Sequence, residues 1–144
     1  MRLQIVVAFV ALVGLGGCTT TPDPAGSADS TFDWPMVSQT QLRGADLEAA
    51  IVTASASPLG SFENPVRAAR PSGQRDYLER LRCADGTAPR FQRTGSLGPG
   101  VFGSIVDGYR VDCADGYQAD VVMDMYHRNH VELGAVPGFT VLAP

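Results

Sequence analysis

Two short stretches of this chain carry the same four residues, Cys83-Ala-Asp-Gly86 and Cys113-Ala-Asp-Gly116. Thiolates flanked by carboxylates are potential metal ligands, and a pair of cysteines is equally the raw material of a disulfide. A second constellation, Asp124-Met-Tyr-His127-Arg-Asn-His130, spaces a carboxylate and both histidines at intervals of three. On a helix these would share a face and could hold a metal or exchange a proton; on a strand running into a loop they alternate sides. Surface histidines at a strand end are the expected outcome. Asp107, Asp112, Asp120 and Asp124 fall on neighbouring predicted strands, where paired carboxylates would suit sugar hydrolysis. Solvated polar faces explain them as well.

Two further motifs carry less. Gly98-Pro-Gly100-Val-Phe-Gly103 satisfies the G-x-G-x-x-G pattern, but a dinucleotide site needs a helix after it. Here a strand follows, and Pro99 withdraws an amide donor. The segment reads as a long glycine-rich β connection. No Gly-x-Ser-x-Gly elbow is present, and Ser61, Ser96 and Ser104 read as turn residues. The sequence therefore offers no catalytic residue, no cofactor site and no metal site.

The framework for these residues begins with Ser38-Gln-Thr-Gln41, which has capping-box spacing, and a helix is expected over 40–54 with Leu42, Leu47, Ala50 and Ile51 on its apolar side. A short extended piece follows at 66–68. Residues 74–82 place Tyr77, Leu78 and Leu81 on one helical face, with Asp76 and Arg80 as a favourable pair four apart. A strand running through Cys83 is the alternative there. Beyond it the period is two: strands are expected at 90–94, 105–113, 120–126 and 139–142, with Tyr109 and Val111 buried on one side. The fold class is α+β, helical elements first and then a small antiparallel sheet.

The N-terminus sets the compartment. Arg2 precedes an apolar run over residues 5–15, the length of a signal-peptide core and too short to span a bilayer. Leu15-Gly16-Gly17-Cys18 follows and resembles the lipobox of bacterial lipoproteins. That resemblance implies cleavage before Cys18 and acylation of its thiol, so the mature protein would hold a membrane through its N-terminus. Thr19, in place of an aspartate, favours the periplasmic face of the outer membrane. An ordinary secretory signal cut elsewhere is the alternative. Residues 19–30, TTTPDPAGSADS, contain no large apolar side chain and read as a flexible tether. The organisation is thus signal peptide 1–17, tether 18–30 and one domain over 31–144.

With Cys18 committed to lipid, two cysteines remain in an oxidising compartment. Each ends an apolar segment and precedes an Asp-Gly turn, so Cys83 and Cys113 are expected to form a disulfide across a loop of about 30 residues, a contribution of about 3.5 kcal/mol. There is no Cys-x-x-Cys pair to support zinc. All 11 basic residues are arginine, as a GC-rich genome would produce. The net charge of −4 becomes −5 when Arg2 leaves with the signal. That balance argues against nucleic acid as a partner.

The domain's idiom, GSFENPVR, GQRDYLERLRCADGTAPRFQRTGS, IVDGYRVDC, MDMYH and AVPGFTVL, resembles small bacterial envelope proteins without an assigned activity, over roughly residues 55–142. No catalytic residue carries over from that resemblance; the tether, the stapled domain and the absence of a recognisable catalytic set point instead to a non-enzymatic, lipid-anchored envelope protein that binds an envelope protein or polymer or maintains the envelope. A small hydrolase of an envelope polymer, using carboxylates or His127, and an inhibitor of a secreted enzyme are the alternatives.

Overall fold

The computed structural model describes residues 40–144. The lipobox, Cys18 and the tether lie outside the described residues, as does Ser38. The elements run α1 (Gly44–Ala54), β1 (Val66–Arg67), α2 (Arg70–Arg80), β2 (Leu81–Arg82), β3 (Arg90–Pro99), β4 (Ile105–Asp112), β5 (Gln118–Asp124) and β6 (Thr140–Val141). The fold is α+β, as expected. A four-stranded sheet has the order β1-β5-β4-β3, and β2 pairs with β6 in a separate small sheet. The large sheet is mixed: β3, β4 and β5 are antiparallel, while β1 joins β5 in parallel. A strand of two residues carries too little pattern to announce its direction.

Both halves of the ambiguity around residue 80 are present. α2 begins ahead of the expected residue 74, and Pro71 occupies its first turn, where its fixed φ suits helix entry and its missing N–H costs nothing. The helix buries Gln74, Tyr77 and Leu78, one face at intervals of three and four. It stops at Arg80 because Leu81 turns extended to pair with Val141. Arg80 is not paired with Asp76. Its guanidinium instead donates to the Leu142 carbonyl at 2.8 Å and the Glu132 carbonyl at 2.7 Å, tying down the C-terminal segment.

The core lies between α2 and one face of the sheet. Tyr109, Val111 and Cys113 alternate inwards along β4, with Val121 and Met123 from β5 and Val66 from β1. Cys83 and Cys113 are bonded, with Cα atoms 5.9 Å apart. The repeated sequence makes a repeated turn. In one copy Cys83 N–H donates to Thr87, Gly86 N–H to Cys83, and Thr87 N–H to the Asp85 carboxylate. In the other, Cys113 N–H donates to Tyr117, Gly116 N–H to Cys113, and Tyr117 N–H to Asp115. Gly86 and Gly116 sit at φ +81° and +92°, conformations glycine adopts without steric cost. The disulfide thus joins twin turns at one end of the core.

The glycine-rich segment is a β connection. Gly98 and Pro99 belong to β3, which is longer than its alternation suggested because two register shifts carry it past the glycines. Gly100 N–H then donates to Ser104 and Gly103 N–H to Gly100, closing the turn into β4. Gly103 has a second task. A Cβ there would lie 2.4 Å from the Thr40 carbonyl oxygen, so only glycine lets the chain before α1 lie against the turn, where Leu42 N–H donates to Phe102 at 2.9 Å.

α1 packs differently from expectation. It starts at Gly44 rather than 40, and its only buried residue is Ala54. Gln41, expected inside the helix, donates from its side chain to the Tyr126 carbonyl at 2.6 Å. Leu47 and Ile51 line a cleft instead of entering the core. Among the described residues no helix is long and apolar enough to cross a membrane.

Candidate functional site

The sequence constellation Asp124-x-x-His127-x-x-His130 is where the structure departs most from expectation. β5 ends at Asp124, and the backbone then locks itself: Tyr126 N–H donates to the Asp124 carboxylate at 3.0 Å, Arg70 N–H to Met125, and His127 N–H to Ala68. These contacts swing the His127 ring back over the strand. His127 is therefore buried rather than on the surface, and its Nε2 lies 3.2 Å from Asp124 Oδ2, close but off the line of a well-aligned hydrogen bond. Asp124 is fully buried. Ser104, which reads as a turn residue, donates its hydroxyl to the same carboxylate oxygen. Phe102 meets the His127 ring edge to face, with centroids 5.2 Å apart.

A serine, an aspartate and a histidine thus converge, but not in the order of a nucleophilic relay. Such a relay needs the serine hydroxyl on the histidine and the aspartate behind it. Here the aspartate stands in the middle and takes both partners. Burial alone pushes the Asp124 carboxyl up. The His127 ring, the Ser104 hydroxyl and the Tyr126 amide together outweigh burial and hold it below the usual carboxylate range.

His130 does not join this set. Its ring centroid stands 6.5 Å from that of His127, and its Nε2 lies 3.2 Å from Glu132. That contact, opposed by burial and helped by the Gly134 amide and the Arg67 charge, brings the Glu132 carboxyl down to about 2. Among the described residues no group of three His, Cys, Asp or Glu side chains is placed to hold a metal ion.

Of the other carboxylates, Asp107 and Asp120 are each committed separately, while Asp112 has a buried oxygen without a hydrogen-bond partner among the described residues. Asp107 is buried, accepting from Arg93 at 2.7 Å and from Gln74 at 3.3 Å, and Gln74 in turn accepts from the Tyr109 hydroxyl at 3.0 Å. Asp120 pairs with Arg110 on the exposed face. The expectation of solvated faces holds for Asp120 but not for Asp107 or Asp124. None of the four lines the clefts described next.

Two clefts flank residues 125–130. One, of about 530 Å³, is lined by Leu42, Leu47 and Ile51 together with Arg67, His127 and His130. The other, of about 700 Å³, lies between the chain before α1, the start of α2 and the segment after β5, and presents Arg43, Arg70 and Arg128 with Tyr126 and Asn129. Neither is legible from spacing along the chain, because each is assembled from three segments far apart in it. Compared with known proteins, the chain matches no family model, no curated protein and no solved structure.

Proposed function

We propose that this is a lipid-anchored protein of the bacterial cell envelope, held at the periplasmic face of the outer membrane through acylated Cys18, whose mature domain binds an envelope component rather than transforming one. The observation that favours binding over catalysis is the Ser104–Asp124–His127 cluster. Its carboxylate is buried and taken up by neighbours, so the Ser, Asp and His side chains that converge among the described residues are spent on holding β4, β5 and the following segment together. Two of the grooves open to solvent are rimmed by arginine. The disulfide is compatible with an exported protein.

The anchor is tested by Cys18→Ser. Cells supplied with labelled palmitate should incorporate it into the native protein, and Cys18→Ser should abolish that label, since no other cysteine is left for acylation once Cys83 and Cys113 are bonded. Absence of label from the native protein would defeat the lipoprotein reading.

One observation favours a second reading, a hydrolase of an envelope polymer: His127 also lines the 530 Å³ cleft, with Asp124 behind it. The native protein should release no soluble fragments from isolated envelope polymer. Fragment release by the native protein, lost in His127→Gln of unchanged thermal midpoint, would replace binding by hydrolysis.

A further inference from the structure

The larger cleft has properties that its surroundings do not explain. Three guanidinium groups, those of Arg43, Arg70 and Arg128, line about 700 Å³ of open groove, and no carboxylate lines it. None of the three has an ion pair among the described residues, whereas Arg93 and Arg110 each hold an aspartate at 2.7 Å. In a chain of net charge −4, leaving three cations together and unpaired concentrates positive potential in one concave place. The adjoining 530 Å³ cleft, which shares Arg43 and Arg128 with this groove, is lined by one carboxylate, Glu48, and a third cleft that shares only Ala69 is lined by Asp76, Glu79 and Glu132.

The backbone around the groove is also held in an unusual state. The described residues contain two non-glycine positions with positive φ, Arg70 at +66° and Asn129 at +59°, and both line this cleft. Left-handed backbone in an arginine is sterically unfavourable and persists only where the surrounding structure imposes it. Here Arg70 N–H donates to Met125 at 2.8 Å and Ala69 bridges Tyr126, which fixes the start of α2 against the segment after β5. Asparagine adopts this conformation readily, so the strain lies at Arg70, whose backbone is fixed in the wall of the groove.

Tyr126 lines the same groove as the arginines. Its backbone is secured on both sides, N–H to Asp124 and carbonyl to Gln41, yet its side chain leaves the residue 44% exposed. A rigid, exposed aromatic ring beside guanidinium groups offers an apolar platform next to bidentate donors for phosphate or carboxylate. Asn129, Gln41 and Ser72 add neutral hydrogen-bonding groups along the same walls. An acidic sugar combines these requirements: a ring with an apolar face, hydroxyls, and a phosphate or carboxylate.

We propose that this groove binds an anionic glycan of the envelope, with Arg43, Arg70 and Arg128 on its phosphate or carboxylate groups and Tyr126 against a sugar ring. The inference rests on the reading of the domain as a binding module and names its ligand class. Preorganisation is what makes the site effective, because the groove's backbone is ordered before any ligand arrives.

The test uses the full mature lipoprotein in detergent micelles and measures affinity by titration calorimetry. The probes are galacturonate oligomers and phosphorylated mannose oligomers, with neutral mannose oligomers of equal length as reference. The acidic probe that carries the matching anion should bind at least tenfold more tightly than the neutral one, with affinity falling as salt rises. Arg70→Gln combined with Arg128→Gln should lower that affinity at least tenfold, and Tyr126→Ala should weaken it further. Arg110→Gln, whose partner Asp120 lies on the exposed face of the sheet, should change it less than twofold. Equal binding of acidic and neutral probes, or no binding to either, would overturn the proposal. Vesicles of sugar-free acidic phospholipid separate glycan from headgroup. Binding to them that depends on the same arginines, without preference for the acidic sugars, would overturn the glycan assignment. If the protein is retained on isolated envelope material and the double arginine variant is retained equally, the groove proposal fails while the binding reading stands. Fragment release by the native protein would remove the binding reading itself.

Discussion

Asp124→Ala is expected to destabilise the domain by about 3–5 kcal/mol, a large share of what a domain of this size possesses. The carboxylate is fully buried, and three groups are arranged around it: the Ser104 hydroxyl, the Tyr126 amide and the His127 ring. Alanine removes the acceptor of the Ser104 hydroxyl and of the Tyr126 amide, an omission costing about 1–3 kcal/mol for each buried group, and takes away the carboxylate that lies 3.2 Å from the buried His127 ring. It also frees the segment after β5. Asp124→Asn keeps the shape and one acceptor oxygen but points an amide donor at a hydroxyl or a ring, so a loss of about 1–3 kcal/mol is expected. Urea unfolding reads both, as a lowered midpoint at unchanged slope. A loss under 1 kcal/mol in the alanine variant would show that the cluster does not hold the domain together.

The same carboxylate gives the stability a defined dependence on acid. The Asp124 carboxyl lies below its ordinary value of 3.8 in the folded protein, and that of Glu132 lies at about 2 against an ordinary 4.5. A lowered folded-state value means that the unfolded chain takes up protons first as pH falls. The stabilisation from both groups is therefore complete above about pH 5. It is lost as pH drops from 4.5 through about 2. Unfolding free energy measured from pH 6 to pH 2 should show this acid limb, and Asp124→Asn should make it shallower, leaving the share due to Glu132. A native protein equally stable at pH 6 and pH 2.5 would contradict both assignments.

How much of this could be read from the sequence differs residue by residue. The alternation of buried Tyr109, Val111 and Cys113 with exposed Arg110 and half-buried Asp112 is dictated by the pleat, because that face meets α2, whereas β5 buries Val121, Val122, Met123 and Asp124 in succession and shows no period of two. The Asp-Gly turns are equally local, since each is closed by hydrogen bonds within five residues. The Ser104–Asp124–His127 cluster is not local. Spacing of three carries meaning on a helix, and here the chain leaves a strand, bridges Ala69 through Tyr126 and folds back, so that His127 faces Asp124 for reasons that lie in residues 68–70. Arg43, Arg70 and Arg128 were indistinguishable from the other arginines in the sequence. Only the topology separates those that find carboxylates from those that share a groove.

Loss of the disulfide is expected to cost about as much as loss of Asp124, but by a different route. Cys83 and Cys113 are separated by 30 residues, and joining them removes conformational freedom from the unfolded chain amounting to about 3.5 kcal/mol in the chain-entropy model. The bridge also has a native-state role here. Cys83 follows β2, which pairs with β6, whereas Cys113 follows β4 of the large sheet. The twin turns are thus the covalent link between two sheets that share no strand. Cys83→Ser with Cys113→Ser should lower stability by about 2–5 kcal/mol. The loss should not be uniform. Hydrogen exchange should accelerate first at Leu81, Arg82 and the 140–142 segment, because a two-residue strand pair has few hydrogen bonds of its own to hold it. Amides of β4 and β5 should follow only with global unfolding, since their ladder and the α2 face remain. Peptide mapping of the exported protein without reductant should recover the two cysteines in one cross-linked pair. Two free thiols, or equal acceleration of exchange in both sheets of the double variant, would show that the bridge plays no part in fastening the small sheet to the large one.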